Sequence, residues 1–206
     1  MLCTALVTGM VLVTGSATGI ITVLVMWVAI LWMRKHSPNV AVFLIGILVV
    51  QAMLVLLIDA LSNSVLWIRI LNALGKEETL TSRAMIWEEA IEIVKDNWLI
   101  GTGRGTEIRY KTSWGSISTM NEAHSFILEL FLQGGILGFV LYMVMLWAAV
   151  SKLDMKNMLH RIVFMGFMLI LVNGLAEAVN NKLFVAIFLG LMNACSNGKI
   201  KGKIES

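Results

Sequence analysis

The chain has 206 residues, of which 58% are hydrophobic and only 14% charged, with a formal net charge of +3. Soluble domains carry nearer a quarter charged residues, so this composition excludes an ordinary water-soluble domain and points to a membrane protein. The basic residues fall in short clusters between apolar runs and form no continuous stripe, which excludes nucleic acid as a partner and makes the clusters topology determinants instead.

In chain order, Leu2 to Val13 is an apolar run too short to cross ~30 Å of hydrocarbon alone. It lacks the basic start of a signal peptide and reads as part of a helix that stays in the membrane. Thr14-Gly15-Ser16-Ala17-Thr18-Gly19 reads as a tight turn, because paired glycines with Ser and Thr punctuate a chain. A second run follows from Ile20 to Met33. Arg34-Lys35-His36-Ser37-Pro38-Asn39 is a basic turn with the protein's one proline at its corner. Val40 to Ile58 is the next span. Residues 59–123 are mixed in charge and long enough for a small extramembrane lobe. Phe126 to Val150 returns to the membrane, and 151–161 is a second basic turn. A span from about Ile162 to Val179, the turn Asn180-Asn181-Lys182, a short span from Leu183 to Ala194 and a lysine-bearing tail complete the chain. The expected organisation is N-terminal transmembrane helices over 1–58, a lobe over 59–123, C-terminal transmembrane helices over 124–195 and a basic tail over 196–206. The fold class is all-α, a polytopic transmembrane bundle with a partly helical lobe.

The basic turns are separated by even numbers of spans, so all can face the cytoplasm together. Positive-inside then sets the 59–123 lobe on the extracytoplasmic face. Cys3 and Cys195 lie in apolar segments, far apart and without metal-type spacing, so they read as small residues of the spans.

Within the lobe the clearest helix is Arg83 to Trp98. Ile86, Trp87, Ala90, Ile91, Ile93, Val94 and Trp98 recur at spacings of three and four, with Glu88, Glu89, Glu92 and Asp96 opposite. Thr81 or Ser82 would cap it and leave Arg83 in the first turn, against the macrodipole. An arginine beside free helix N–H groups makes an anion pocket, and an exposed surface arginine is the plainer reading. Gly101-Thr102-Gly103-Arg104-Gly105 breaks the helix. Its glycines let the backbone approach a ligand with Arg104 between them, or simply end the helix.

Of the three histidines, His36 and His160 lie in basic turns and read as solvated. His124, in Asn121-Glu122-Ala123-His124-Ser125, stands where the polar lobe becomes an apolar helix. A neutral imidazole there can take a proton from an attacking hydroxyl, or merely tolerate the interface. No second His or paired Cys stands nearby, so no metal site is expected. Neither Glu129, one turn past His124, nor Glu177 makes a strong case for a transport pathway.

His124-Ser125, with Gly135 and Gly138 following at fixed distances, is similar to the histidine signature of the O-antigen ligase and O-antigen polymerase-like membrane family. Thr81-Ser82-Arg83 with Ile86-Trp87 resembles that family's arginine motif, Gly101-Thr102-Gly103 its G-x-G, and the 14–19 turn its S-R-[T/G] turn. The chain departs from the pattern at Ala17, Ser82 and Ser125, where arginine, glycine and asparagine are commoner, and it is about half the usual length. The resemblance implies a GT-C-like enzyme of the bacterial inner membrane. Without a cofactor, it would move a glycan from a polyprenyl-diphosphate-linked donor to a glycan or lipid acceptor on the outer face. His124 would be the base, Arg83 and Arg104 would grip the leaving diphosphate, and a partner chain would supply the missing helices. A non-catalytic membrane fragment and a piece of a glycan or solute transporter are the alternatives.

Overall fold

A computed structural model describes residues 6, 8–11, 13, 17–62, 77–112, 114–174 and 183–197. The helices are α1 Ala17–Lys35, α2 Val40–Ser62, α3 Glu77–Asp96, α4 Phe126–Val150, α5 Met158–Asn173 and α6 Leu183–Ser196. Strands β1 Ile108–Lys111 and β2 Ile117–Met120 lie between α3 and α4. Two stretches are long and apolar enough to cross a membrane, Val40–Leu57 within α2 and Phe126–Val150, while Gly19–Met33, Met158–Asn173 and Val185–Cys195 are shorter apolar helices. Residues 14–16 of the expected 14–19 turn, the 180–182 turn, Glu177 and most of the basic tail lie outside the described residues, while Ala17 to Gly19 open α1 and are helical, not part of a turn.

The chain divides into two compact units, 1–45 with 145–206, and 46–144. In the first, α5 packs against α1 and α6. An aromatic series from Trp32 to Phe43 (5.4 Å between ring centroids) and from Phe43 to Phe164 (6.5 Å, edge-on) joins the end of α1 and the start of α2 to α5. The Arg161 guanidinium joins the two basic turns: it donates to the Met155 carbonyl, to Met33 O at 2.8 Å and to Ser37 Oγ at 3.2 Å. His160 is buried, not solvated as its basic neighbours suggest, and its Nδ1 accepts the Asp154 N–H at 2.9 Å. That bond and the Asn157 side chain, which caps α5 by accepting from Leu159 N, fix the turn before α5.

The second unit holds the lobe. Its core joins Val55 of α2, Ile86, Trp87 and Ala90 of α3, Ile108 and Tyr110 of β1, and Ala123, Leu128 and Leu132. The hairpin corrects the all-α expectation. Ile108 and Tyr110 are buried while Arg109 and Lys111 are exposed, the period-two alternation of a half-covered strand. β1 pairs antiparallel with β2, Ile108 opposite Met120 and Lys111 opposite Ile117, and Gly115 turns the corner at φ +80°. With only four residues a strand, the alternation was too brief to stand out in the sequence. A second correction concerns α3, which starts at Glu77, so Thr81 and Ser82 lie inside the helix and do not cap it. Arg83 is therefore beyond the first turn, and its unfavourable place against the macrodipole disappears together with the free N–H groups of the proposed anion pocket.

Replacing Arg161 with Ala leaves the carbonyls of Met33 and Met155 without this donor, and it should lower stability by about 1–3 kcal/mol. Thermal unfolding in detergent checks this. Arg161→Lys should recover only part of the loss, because one ammonium cannot match the spread of the planar fork.

Candidate functional site

The site is built around a broken helix. α4 reads as one apolar run, yet Gly135 inside it has φ +57° and ψ −157°, far from helical. The two halves turn sharply there. The Phe126 and Tyr142 rings lie 5.5 Å apart and the Phe131 and Phe139 rings 4.9 Å apart. On a straight helix residues 126 and 142 would be separated by ~24 Å along the axis, beyond the reach of two aromatic side chains.

An unbroken helix would bond Ile136 N–H to the Leu132 carbonyl. Here that bond is open and the turn after α3 fills it. Thr102 N–H donates to Leu132 O at 2.7 Å with its hydroxyl adding a bond at 3.0 Å, while Ile136 N–H donates to Trp98 O at 2.8 Å and Leu137 N–H to Leu99 O at 3.2 Å. Leu132 O, Ile136 N–H and Leu137 N–H, all freed by the break, thus each meet a partner, as apolar surroundings require. Two glycines make the approach possible. A Cβ on Gly101, itself at φ +68°, would sit 2.5 Å from Leu132 O and 2.7 Å from Gly135 N. A Cβ on Gly135 would sit 2.5 Å from the Leu99 carbonyl carbon. Gly138 meets nothing comparable.

The first half of α4 also fixes His124. That residue is half-buried with φ +50°, the left-handed region that histidine enters more readily than most side chains, at a cost of roughly 1–2 kcal/mol. The backbone before it is held from both sides. Trp87 Nε1 donates to Ala123 O at 2.7 Å, and Ala123 N–H donates to Glu129 Oε2 at 2.9 Å. Gln133 Nε2 donates to Glu129 Oε1 at 2.8 Å, one turn further along. Glu129 is 2% exposed. Its carboxylate sits in the first turn of α4, where the helix N-terminus favours negative charge. Strain of this kind persists only where neighbours over-determine it.

The structure relates two of the three sequence candidates through this clamp. Arg83 is half-buried and lies one turn before Trp87, on the same stripe of α3, so the stripe bearing Arg83 is pinned to the residue beside His124. Arg104 stands apart. It is exposed, between Gly103 (φ +90°) and Gly105 (φ +82°), in a loop anchored at Leu132, about two turns beyond His124. Gln133 and Thr102 carried no role in the sequence reading. Glu129 reads from the sequence only as a weak mark of transport, because its partner Ala123 N–H lies two residues before Ser125 and the spacing is not that of a capping box.

Comparison with known proteins gives one family: a family model described as O-antigen ligase matches residues 2–143. No curated protein and no solved structure matched. The match spans the lobe, the His124 segment and the broken part of α4.

Glycine substitutions should separate the interlock from ordinary glycine turns. Gly135→Ala and Gly101→Ala should each cost about 3 kcal/mol or more, since backbone must move on both sides. Gly103→Ala, with open space but positive φ, should cost only ~1–2 kcal/mol, and Gly138→Ala should stay within roughly 0.5 kcal/mol. Thermal unfolding of the four variants in one detergent gives the ranking.

Proposed function

Because the chain belongs to the O-antigen ligase family, we propose that it transfers a glycan from a polyprenyl-diphosphate carrier to a hydroxyl of a glycan or lipid acceptor at the outer face of the membrane. The acceptor oxygen attacks the anomeric carbon of the donor sugar and loses its proton to His124. The bond from that carbon to the diphosphate oxygen breaks, and the bonding pair leaves with the diphosphate. Negative charge on the leaving group grows as this bond opens, and fixed guanidinium groups stabilise it more than they stabilise the bound donor. Arg83 fills this role, its planar fork suiting two phosphate oxygens at once. Arg104, exposed on its glycine loop, suits a first contact with the incoming diphosphate. The apolar spans receive the isoprenoid tail, which gains free energy only when removed from water.

The observation that carries this reading is the Trp87 to Ala123 bond, which holds the Arg83 stripe against a histidine kept in a strained backbone conformation. Transport, the competing function, would use an ionisable group along a path through the spans. Glu129 is the candidate among the described residues, and its two oxygens are engaged by Ala123 N–H and Gln133, which suits a fixed cap better than a mobile ion carrier.

Cells whose surface polymer depends on this protein should lose that polymer with His124→Ala at an unchanged level of membrane-inserted protein. Wild-type polymer from that variant would remove the base. Arg83→Lys should lower turnover by an order of magnitude or more, about 1.4 kcal/mol in barrier for each tenfold. Its folded level should hold. Turnover equal to wild type would take Arg83 out of the site.

A further inference from the structure

The turn that fills the break in α4 carries three consecutive apolar side chains that the described residues leave uncovered: Trp98 is 60% exposed, Leu99 52% and Ile100 67%. In water such a group is costly, and an ordinary lobe would turn it inward. Its backbone has no freedom to do so, because Trp98 O and Leu99 O are bonded to Ile136 and Leu137.

Two observations say what covers it. The first is length. Beyond the break, helix runs from 136 to 150 and meets the polar segment Ser151-Lys152. That is about 15 residues, or ~22 Å of helix, against ~30 Å of hydrocarbon. A segment this short cannot begin above the hydrocarbon surface and still reach across, so Ile136 and the turn bonded to it lie at or below that surface. The second is the change in burial at the break. Before it, Phe126, Leu128, Glu129, Leu130 and Leu132 are buried within the protein. After it, Leu137, Val140, Leu141 and Val144 are all about half exposed or more, a face made for lipid, and the Trp98 to Ile100 turn is fixed to the start of that face.

We infer that the Trp98-Leu99-Ile100 turn is a wedge inserted among lipid acyl chains at the edge of the bilayer, docked on the break at Gly135. Its occupant is phospholipid hydrocarbon. Trp98 suits this boundary, since an indole offers an apolar body with one N–H donor for the headgroup side. The wedge would set the depth of the lobe, and with it the height of His124, by a fixed backbone connection. It stands independently of any catalytic role for His124.

The test uses the full chain, with Cys3 and Cys195 changed to Ser, reconstituted in phosphatidylcholine vesicles. An environment-sensitive fluorophore is attached at Leu99→Cys, at Ile100→Cys, or at Lys111→Cys on the exposed face of β1. Nitroxide-bearing phosphatidylcholine should quench labels at 99 and 100 roughly twofold or more beyond the label at 111, with blue-shifted emission and protection from iodide, as for a side chain below the headgroups. Strong iodide quenching at 99 and 100, equal to that at 111, would mean a turn in water and would overturn the inference. Protection from both quenchers would overturn it too, because protein would then cover the turn in place of lipid. Two labelled positions on exposed side chains guard against a single variant that fails to fold.

Discussion

One opened hydrogen bond organises the described lobe. In a continuous helix the Leu132 carbonyl and the Ile136 N–H would satisfy each other; at Gly135 they part, and the turn between α3 and the hairpin supplies a partner to each. A buried backbone group without a partner costs enough that neither the break nor the turn is stable alone in apolar surroundings. They are a single feature contributed by two segments thirty residues apart, and the steric condition for it is the missing Cβ at Gly101 and at Gly135.

From that joint the chemistry of the site follows in steps of ordinary reach. Breaking α4 lets its first eight or so residues leave the axis of the span and become part of the lobe core, through Leu128 and Leu132. The half-helix then presents its own N-terminus, with Glu129 and Gln133 arranged to hold the backbone of Ala123. Trp87 closes the arrangement from α3. The backbone leading into His124 is thereby held by contacts on the residue before it.

Under the proposed wedge, the same joint would set the depth of the lobe in the bilayer. The proposed polyprenyl-diphosphate donor would present its reacting carbon near the headgroups, so the groups proposed to act on it would need to be held at a defined height. A turn whose backbone is bonded into the span, and whose side chains prefer hydrocarbon, does this more rigidly than a tethered loop would. The first unit makes a different contribution: Arg161 ties the turn after α1 to the turn before α5 and so fixes the ends of its helices against one another.

Composition and periodicity alone pointed to a mostly helical membrane protein with a more polar stretch between apolar runs, and to an amphipathic helix in that stretch with Ile86, Trp87 and Ala90 on its apolar face. These are properties of residue type and spacing, which the sequence carries directly. The resemblance to a known family was legible too, because His124 and Gly135 keep fixed distances along the chain. What only the tertiary structure decided was the meaning of those glycines. Residues 126–150 have the hydropathy of one uninterrupted span, and nothing local forces a break, since glycine inside a helix is tolerated. The break exists because Trp98, Leu99 and Thr102 arrive from elsewhere to bond what it exposes. The start of α3 at Glu77 and the short hairpin were hidden for the same reason: helix ends and four-residue strands are fixed by the partners that satisfy their backbone groups, and those partners are distant in sequence.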